Sequence, residues 1–193
     1  MIQCLFFKVL WLSKGQIIVA NSNAELPRFA VVSSQQEWAS TGEDLFKNKR
    51  YLQAMHCFEK AGMHREFAVA EAHFLRQTAR TLPVGSIEHG DALLRAANAF
   101  LRCAGEATME KGRRVYYRNA ARCYVEKGDI RQAAKAFYDA KEYALAAEQY
   151  GNVELFDDVT RIIHCHQNEM EAEVVQKLKV LSRTFYLKEL KLE

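Results

Sequence analysis

Large and small apolar residues recur along this chain in a fixed rhythm, and residues 38–61 (WASTGEDLFKNKRYLQAMHCFEKA) show it best. Trp38, Gly42 and Leu45 stand three and four apart, as do Tyr51, Ala54, Phe58 and Ala61. That spacing puts each set on one face of a helix. The spacing of six from Leu45 to Tyr51 crosses a polar break, Lys47-Asn48-Lys49-Arg50, and so predicts a turn between two antiparallel helices. Gly42 and Ala54 are small enough for those helices to approach closely. The rhythm returns over residues 117–140 through Tyr117, Ala120, Ala121, Tyr124, Ile130, Ala133, Phe137 and Ala140, with Lys127-Gly128-Asp129 as the turn.

Between these two hairpins the pattern predicts a long helix from about His64 to Arg80, with Phe67, Ala70 and Phe74 on one face. Pro83 and Gly85 end it, and Ser86 is placed to cap the next helix, which carries Ala96, Phe100 and Cys103. Ser33 or Ser34 is the cap expected before the first helix. Tyr143, Ala146 and Tyr150 open a shorter hairpin that continues through Leu155, Phe156, Val159 and Ile162. A last helix is predicted from about Asn168 to the end, with Val174, Leu178, Leu181 and Phe185 on one face. Tyr186 and Leu192 repeat the six-residue spacing, so a further turn is expected near Lys188-Glu189 and the chain is expected to stop within a repeat, its last helix unpaired. Residues 1–34 differ. Leu5–Leu12 and Gln16–Ala20 are aromatic and β-branched around Ser13-Lys14-Gly15, the pattern of a β-hairpin, with a third short strand expected near Phe29–Val32.

Composition narrows the classes. The 193 residues are 49% apolar and 26% charged, enough to bury a core, and two prolines and nine glycines suit a helical chain. A formal net charge of +3 is too mild to imply nucleic acid by itself. Lys8 interrupts the first apolar run and no basic residue precedes it, which argues against a secretory leader; the run is also too short to span a membrane. Cys57, Cys103 and Cys123 sit beside apolar helix positions and read as reduced core thiols of an intracellular protein, nuclear or cytoplasmic.

The chemistry of catalysis is sparse. The sequence has no phosphate-binding GxxxxGK[ST], no GxGxxG, no HExxH, no paired CxxC and no nucleophile-elbow pattern, so no enzyme, cofactor or metal is expected of this chain. His164-Cys165-His166 cannot converge on one ion from three consecutive helical positions and reads as a helix end with surface histidines. Lys111, Arg113, Arg114, Arg118 and Arg122 form the densest basic stretch, with Arg114, Arg118 and Arg122 four apart on one strip. One reading is a solvated face partly paired with Glu110 and Glu126. The sharper one is an anion- or peptide-binding strip. Arg118 and Arg122 follow core positions by one step, which in a repeat hairpin of this kind lines the concave groove, where two guanidiniums could hold a carboxylate or phosphate.

Residues 38–61 match the tetratricopeptide (TPR) repeat through Trp, Gly, a large residue, an aromatic, Ala, Phe and Ala. With FFKVLWLSKGQI and LPRFAVVSS ahead of EWASTGEDLFKNKRYLQAMHCFEKAG, the chain resembles the large TPR and ankyrin repeat-containing proteins, which resemble a UvrD-like superfamily 1 helicase followed by TPR-like helices. The resemblance runs from about Phe6 to Leu192. It implies that residues 1–34 correspond to the last strands of a helicase RecA-like domain, and that every catalytic helicase motif lies outside this chain.

The fold expected is therefore all-α: a TPR-like α-solenoid of antiparallel helix hairpins over residues 35–193, with a short β-hairpin appendage over 1–34. The function expected is a protein-interaction scaffold whose partner is a protein or acidic peptide. The alternatives are a nucleic-acid contact made through a parent helicase and a coat or trafficking solenoid. Oligomeric state is left open.

Overall fold

The computed structural model describes residues 8–12, 16–20 and 34–190. Strands β1 (Lys8–Leu12) and β2 (Gln16–Ala20) pair antiparallel, with Val9 opposite Val19 and Trp11 opposite Ile17. The turn at residues 13–15 and the third strand expected near residues 29–32 lie outside the described residues. Everything from residue 34 to residue 190 is helical apart from caps and turns: α1 (Gln35–Lys47), α2 (Tyr51–Lys60), α3 (His64–Ala79), α4 (Ile87–Glu106), α5 (Glu110–Lys127), α6 (Ile130–Asp139), α7 (Tyr143–Gly151), α8 (Phe156–His166), a 3₁₀ turn (Gln167–Glu169) and α9 (Ala172–Glu189). Two compact units result, Met1–Glu71 and Ala72–Glu193, the division falling within α3.

In the first unit Ser34 starts α1 with a reciprocal cap. Its Oγ accepts from the Glu37 amide at 3.2 Å, and its own amide donates to Glu37 Oε2 at 2.8 Å. The two helices α1 and α2 pack antiparallel. Gly42 is the contact point: a Cβ there would lie 2.7 Å from Phe58 Cε1 and 3.2 Å from Cys57 Cβ. Phe46 meets Tyr51 edge-on at 5.3 Å, and Trp38 meets His56 likewise at 5.9 Å.

In the second unit successive helices from α4 to α8 pack against each other, and α9 packs on α7 and α8. Ser86 caps α4 through the His89 amide at 3.1 Å. Eleven of the twenty-three residues in the buried core are alanines, so helix backbones, not bulky side chains, set the spacing. Phe100, Leu93, Val159 and Leu178 fill the larger gaps.

The helices are stopped by one device used five times. Lys49, Gly62, Gly128, Lys141 and Glu154 all have left-handed backbone, with φ of +60°, +70°, +86°, +60° and +58°. At each, the next amide reaches back five positions: Arg50 to the Leu45 carbonyl, Met63 to Phe58, Asp129 to Tyr124, Glu142 to Phe137 and Leu155 to Tyr150, all between 2.9 and 3.0 Å. The left-handed residue's own amide bonds the carbonyl three back, completing the Schellman motif. These turns set where each following helix begins. The last three helices of the run, α6, α7 and α8, begin thirteen residues apart, and Ala133, Ala146 and Val159 are fully buried at the same place in each. Two such steps are shorter than the TPR unit of about 34 residues.

Two expectations about the last helix need correction. Gln167–Glu169 form a separate 3₁₀ turn, so α9 begins at Ala172 with Glu171 as its N-cap. Of the expected face, Leu178 is buried and Val174 and Phe185 pack against the core, but Leu181 is 45% exposed, and Val175 and Ser182 are buried in its place. Helix α9 runs through Lys188 and Glu189 to its C-cap Leu190, and residues 191–193, where the expected turn would continue, lie outside the described residues.

Two sets of variants test this packing. Adding a methyl at Gly42 overpacks against the buried Phe58 ring at a cost of about 1–3 kcal/mol. Alanine's helix propensity offsets about 1 kcal/mol of that. Gly42→Ala should therefore lower the urea midpoint. Gly90→Ala in α4, with nothing within 4 Å, should raise it, for a gain in stability of about 0.5–1 kcal/mol. At the turns, Gly128→Ala should destabilise by about 1 kcal/mol because φ is +86°, while Glu154→Gly should stabilise by up to about 1 kcal/mol. Equal melting temperatures across the four variants would refute the packing described.

Candidate functional site: the charged faces of the fifth helix

Helix α5 starts with acidic Glu110 and ends with basic Lys127 before left-handed Gly128, so both termini suit its dipole. Its buried stripe is Ala120, Ala121, Cys123 and Tyr124. That stripe leaves Arg114, Arg118 and Arg122 on the solvent side, at successive turns.

The three arginines meet different fates. Arg114 Nε donates to Glu110 Oε1 at 3.2 Å, one turn earlier on the same helix. The same carboxylate takes Lys141 Nζ at 3.1 Å from the α6–α7 turn, and Arg113 Nη1 lies 3.7 Å from it. Hydrogen bonds from Lys141 and then Arg114 hold the Glu110 carboxyl below the usual glutamate range. Arg118 pairs with Glu142, the residue preceding α7. Arg114 and Arg118 nevertheless keep 43% and 40% of their side chains exposed. Arg122 is exposed and makes no ion pair among the described residues. The chain thus brings Arg114 and Arg118 to the α6–α7 turn and leaves Arg122 open.

The opposite end of α5 carries a second ion cluster, whose arginines lie 50 and 46 residues from Glu126 in sequence. Glu126 accepts from Arg80 through Nη2 at 2.8 Å and Nε at 3.3 Å, and from Arg76 as well. Burial opposes ionisation of Glu126, but the hydrogen bonds from Arg80 and Arg76 outweigh it and its pKa falls. Beside this cluster, burial pushes the Cys123 thiol up to about 11, so it is not a thiolate near neutrality. Burial, with the charge of Arg76, pushes His73 down to about 4. Its ring stands edge-on to Phe100 at 5.0 Å.

One histidine departs from expectation. His164 and Cys165 are exposed, but His166 is partly buried and held by neighbouring helices. Its ring stacks on Tyr143 at 3.7 Å and 9°, Nε2 lies 3.1 Å from Tyr138 Oη, and Nδ1 lies 2.9 Å from Glu169 Oε1. The contacts tie α6, α7 and the end of α8 together. No sequence rule reaches this pairing, because Tyr138 lies 28 residues away.

Among the described residues no group of three His, Cys, Asp or Glu side chains could hold a metal, and no helix is long and apolar enough to cross a membrane. A groove of about 380 Å³ opens at the α5–α6 turn, lined by Lys127, Gly128, Asp129, Ile130, Arg131 and Val153. It is shallow and lacks a nucleophile–base pair.

Helices packed in sequence order through repeated turns define a helical-repeat protein. Comparison with known proteins agrees at that level. The chain is similar to human TPR and ankyrin repeat-containing protein 1, at 22% identity over 192 residues, covering 89% of this chain. It spans only 6% of that protein's length. No protein-family model matches the chain, and no solved structure matches it.

The His73 environment makes stability pH-dependent. The folded pKa of about 4 lies below the ordinary 6.5, so the unfolded chain takes up the proton first as pH falls. The stabilisation is complete above pH 6.5 and is lost as pH drops toward 4. Discounted for the ring's partial exposure, the loss should be about 1–2 kcal/mol. Urea titrations across that range should show it in the wild type and not in His73→Phe. The lowered Glu126 pKa adds a further loss in the same direction at more acid pH.

Proposed function

We propose that this chain is a protein-interaction scaffold, and that Arg114, Arg118 and Arg122 on α5 form the contact for an acidic peptide or a phosphate-bearing partner. The observation that carries it is the exposed Arg122, unpaired among the described residues and in line with two half-exposed arginines. Guanidiniums four residues apart can take successive carboxylates. Glu142 already holds Arg118, so an acidic partner competes with it for that arginine. Similarity to a repeat protein supports a protein as the partner.

Fluorescence anisotropy with a glutamate-rich peptide tests this reading. Arg118→Ala combined with Arg122→Ala should weaken binding about tenfold or more, and Glu142→Gln should strengthen it by freeing Arg118. Unchanged affinity in the double variant would end the proposal. If mixed-sequence single-stranded DNA binds more tightly than the peptide, with a steep salt dependence, the strip serves nucleic acid instead.

The finer part of the reading concerns the neighbouring sequence. Residues 1–34 would be the end of a helicase RecA-like domain and residues 35–193 the repeats that follow it. Its support is the resemblance carried by FFKVLWLSKGQI and LPRFAVVSS. Reading the transcript upstream of Met1 for an ATP-binding loop checks it directly.

A further inference from the structure

Helix α9 has two apolar faces. One is buried on α7 and α8 through Val175, Leu178 and Ser182. The other points away from them: Val180 is 54% exposed, Leu187 48% and Leu190 69%, with Leu181 at its edge at 45%. Of the thirteen exposed large apolar side chains among the described residues, α9 carries four and its C-cap Leu190 is a fifth, so the surface apolar area concentrates here. Val180, Thr184 and Leu187 fall at i, i+4 and i+7, the spacing at which one helix anchors another.

The charges around this stripe are of one sign and unmatched. Lys177, Arg183 and Lys188 flank it, and none of them makes an ion pair among the described residues. Some cations elsewhere are matched with acids, as Arg76 and Arg80 with Glu126 or Arg118 with Glu142, but here three unmatched cations border one apolar stripe. Lys179 is turned toward Gln167, and Glu173 contributes an acid only at the N-terminal end of the face.

The geometry points to an acidic amphipathic helix from a partner protein as the occupant of this face. Its apolar stripe would cover Val180 and Leu187, and its flanking carboxylates would meet Lys177, Arg183 and Lys188. A second copy of the chain fits less well, because it brings the same three cations face to face, with only Glu173 to offset them. An anionic bilayer offers the right charge but not the right shape. The centre of the stripe has no aromatic wedge, and Tyr186 is held to one side by its hydrogen bond to Asp157 Oδ1 at 2.6 Å. The inference extends the scaffold reading to a different surface and does not depend on the α5 arginines.

The probes are two fluorescein-labelled amphipathic peptides of about twenty residues, with leucines at helical spacing and either glutamate or lysine on the flanks. The full chain should bind the glutamate peptide at least about tenfold more tightly. Lys177→Glu with Lys188→Glu should reverse that preference. Val180→Asp with Leu187→Asp should abolish binding of both peptides with an unchanged thermal melt, since both side chains are half exposed. Arg118→Ala with Arg122→Ala should leave this binding intact, which separates failure here from failure of the α5 reading. Equal affinity for the two peptides, or no reversal on charge exchange, overturns the proposal. It is also overturned if sedimentation shows a dimer that Val180→Asp dissolves, or if phosphatidylserine vesicles displace the glutamate peptide.

Discussion

The left-handed residue that ends a helix is the constraint on which this architecture depends. A helix leaves its last carbonyls without partners, and a reversal of direction must satisfy them within a few residues. Here the amides of the left-handed residue and of its successor do so at five turns. The geometry fixes where the next helix starts, six residues beyond the accepting carbonyl, and the length of each helix sets the rest of the step. Glycine occupies only two of the five positions. Lys49, Lys141 and Glu154 adopt the same conformation at a cost of about 1 kcal/mol each. The two hydrogen bonds and the burial they enable offset that cost.

The same turn explains what could be read from the sequence. The carbonyl that accepts the six-residue bond belongs to a large residue, Leu45, Tyr124, Phe137 or Tyr150, and the next helix opens with another, Tyr51, Ile130, Tyr143 or Phe156. The spacing of six is therefore the trace of a Schellman turn in the chain, and it was read from the sequence at Leu45–Tyr51 and Tyr124–Ile130. At Phe58 the following helix opens with His64, so the same turn left no apolar signature. Helix α9 shows the opposite failure. A stripe of Val174, Leu178, Leu181 and Phe185 satisfies helical spacing as well as the observed one does. Only the contacts of Val175 and Ser182 with the core decide the phase.

The site was less legible than the fold, for a reason of range. Spacing along one helix placed Arg114, Arg118 and Arg122 on a common strip, because that is a local property. Their partners are not local: Glu142 lies 24 residues beyond Arg118, and Glu126 meets Arg76 and Arg80 across 50 and 46 residues. His166 was misread in the same way. Its surroundings are Tyr138 and Tyr143 from two other helices, and position at a helix end says nothing about them.

An alanine-rich core has consequences for what such a chain can do. Helices brought close by Ala96, Ala120, Ala133 and Ala146 leave little space between them for an enclosed pocket. Function is thereby pushed outward to helix faces and turns, where side chains are longer and charged. The chain then has two ways to treat a charge there. On α5 three of the six cations, Arg113, Arg114 and Arg118, are matched from within, which steadies the stack and leaves binding to competition and to exposed cations such as Arg122. On α9 Lys177, Arg183 and Lys188 are unmatched and border exposed apolar side chains, a combination that stabilises nothing within the chain. A surface that contributes nothing to its own fold yet concentrates apolar area beside charge of one sign is best explained by what it meets.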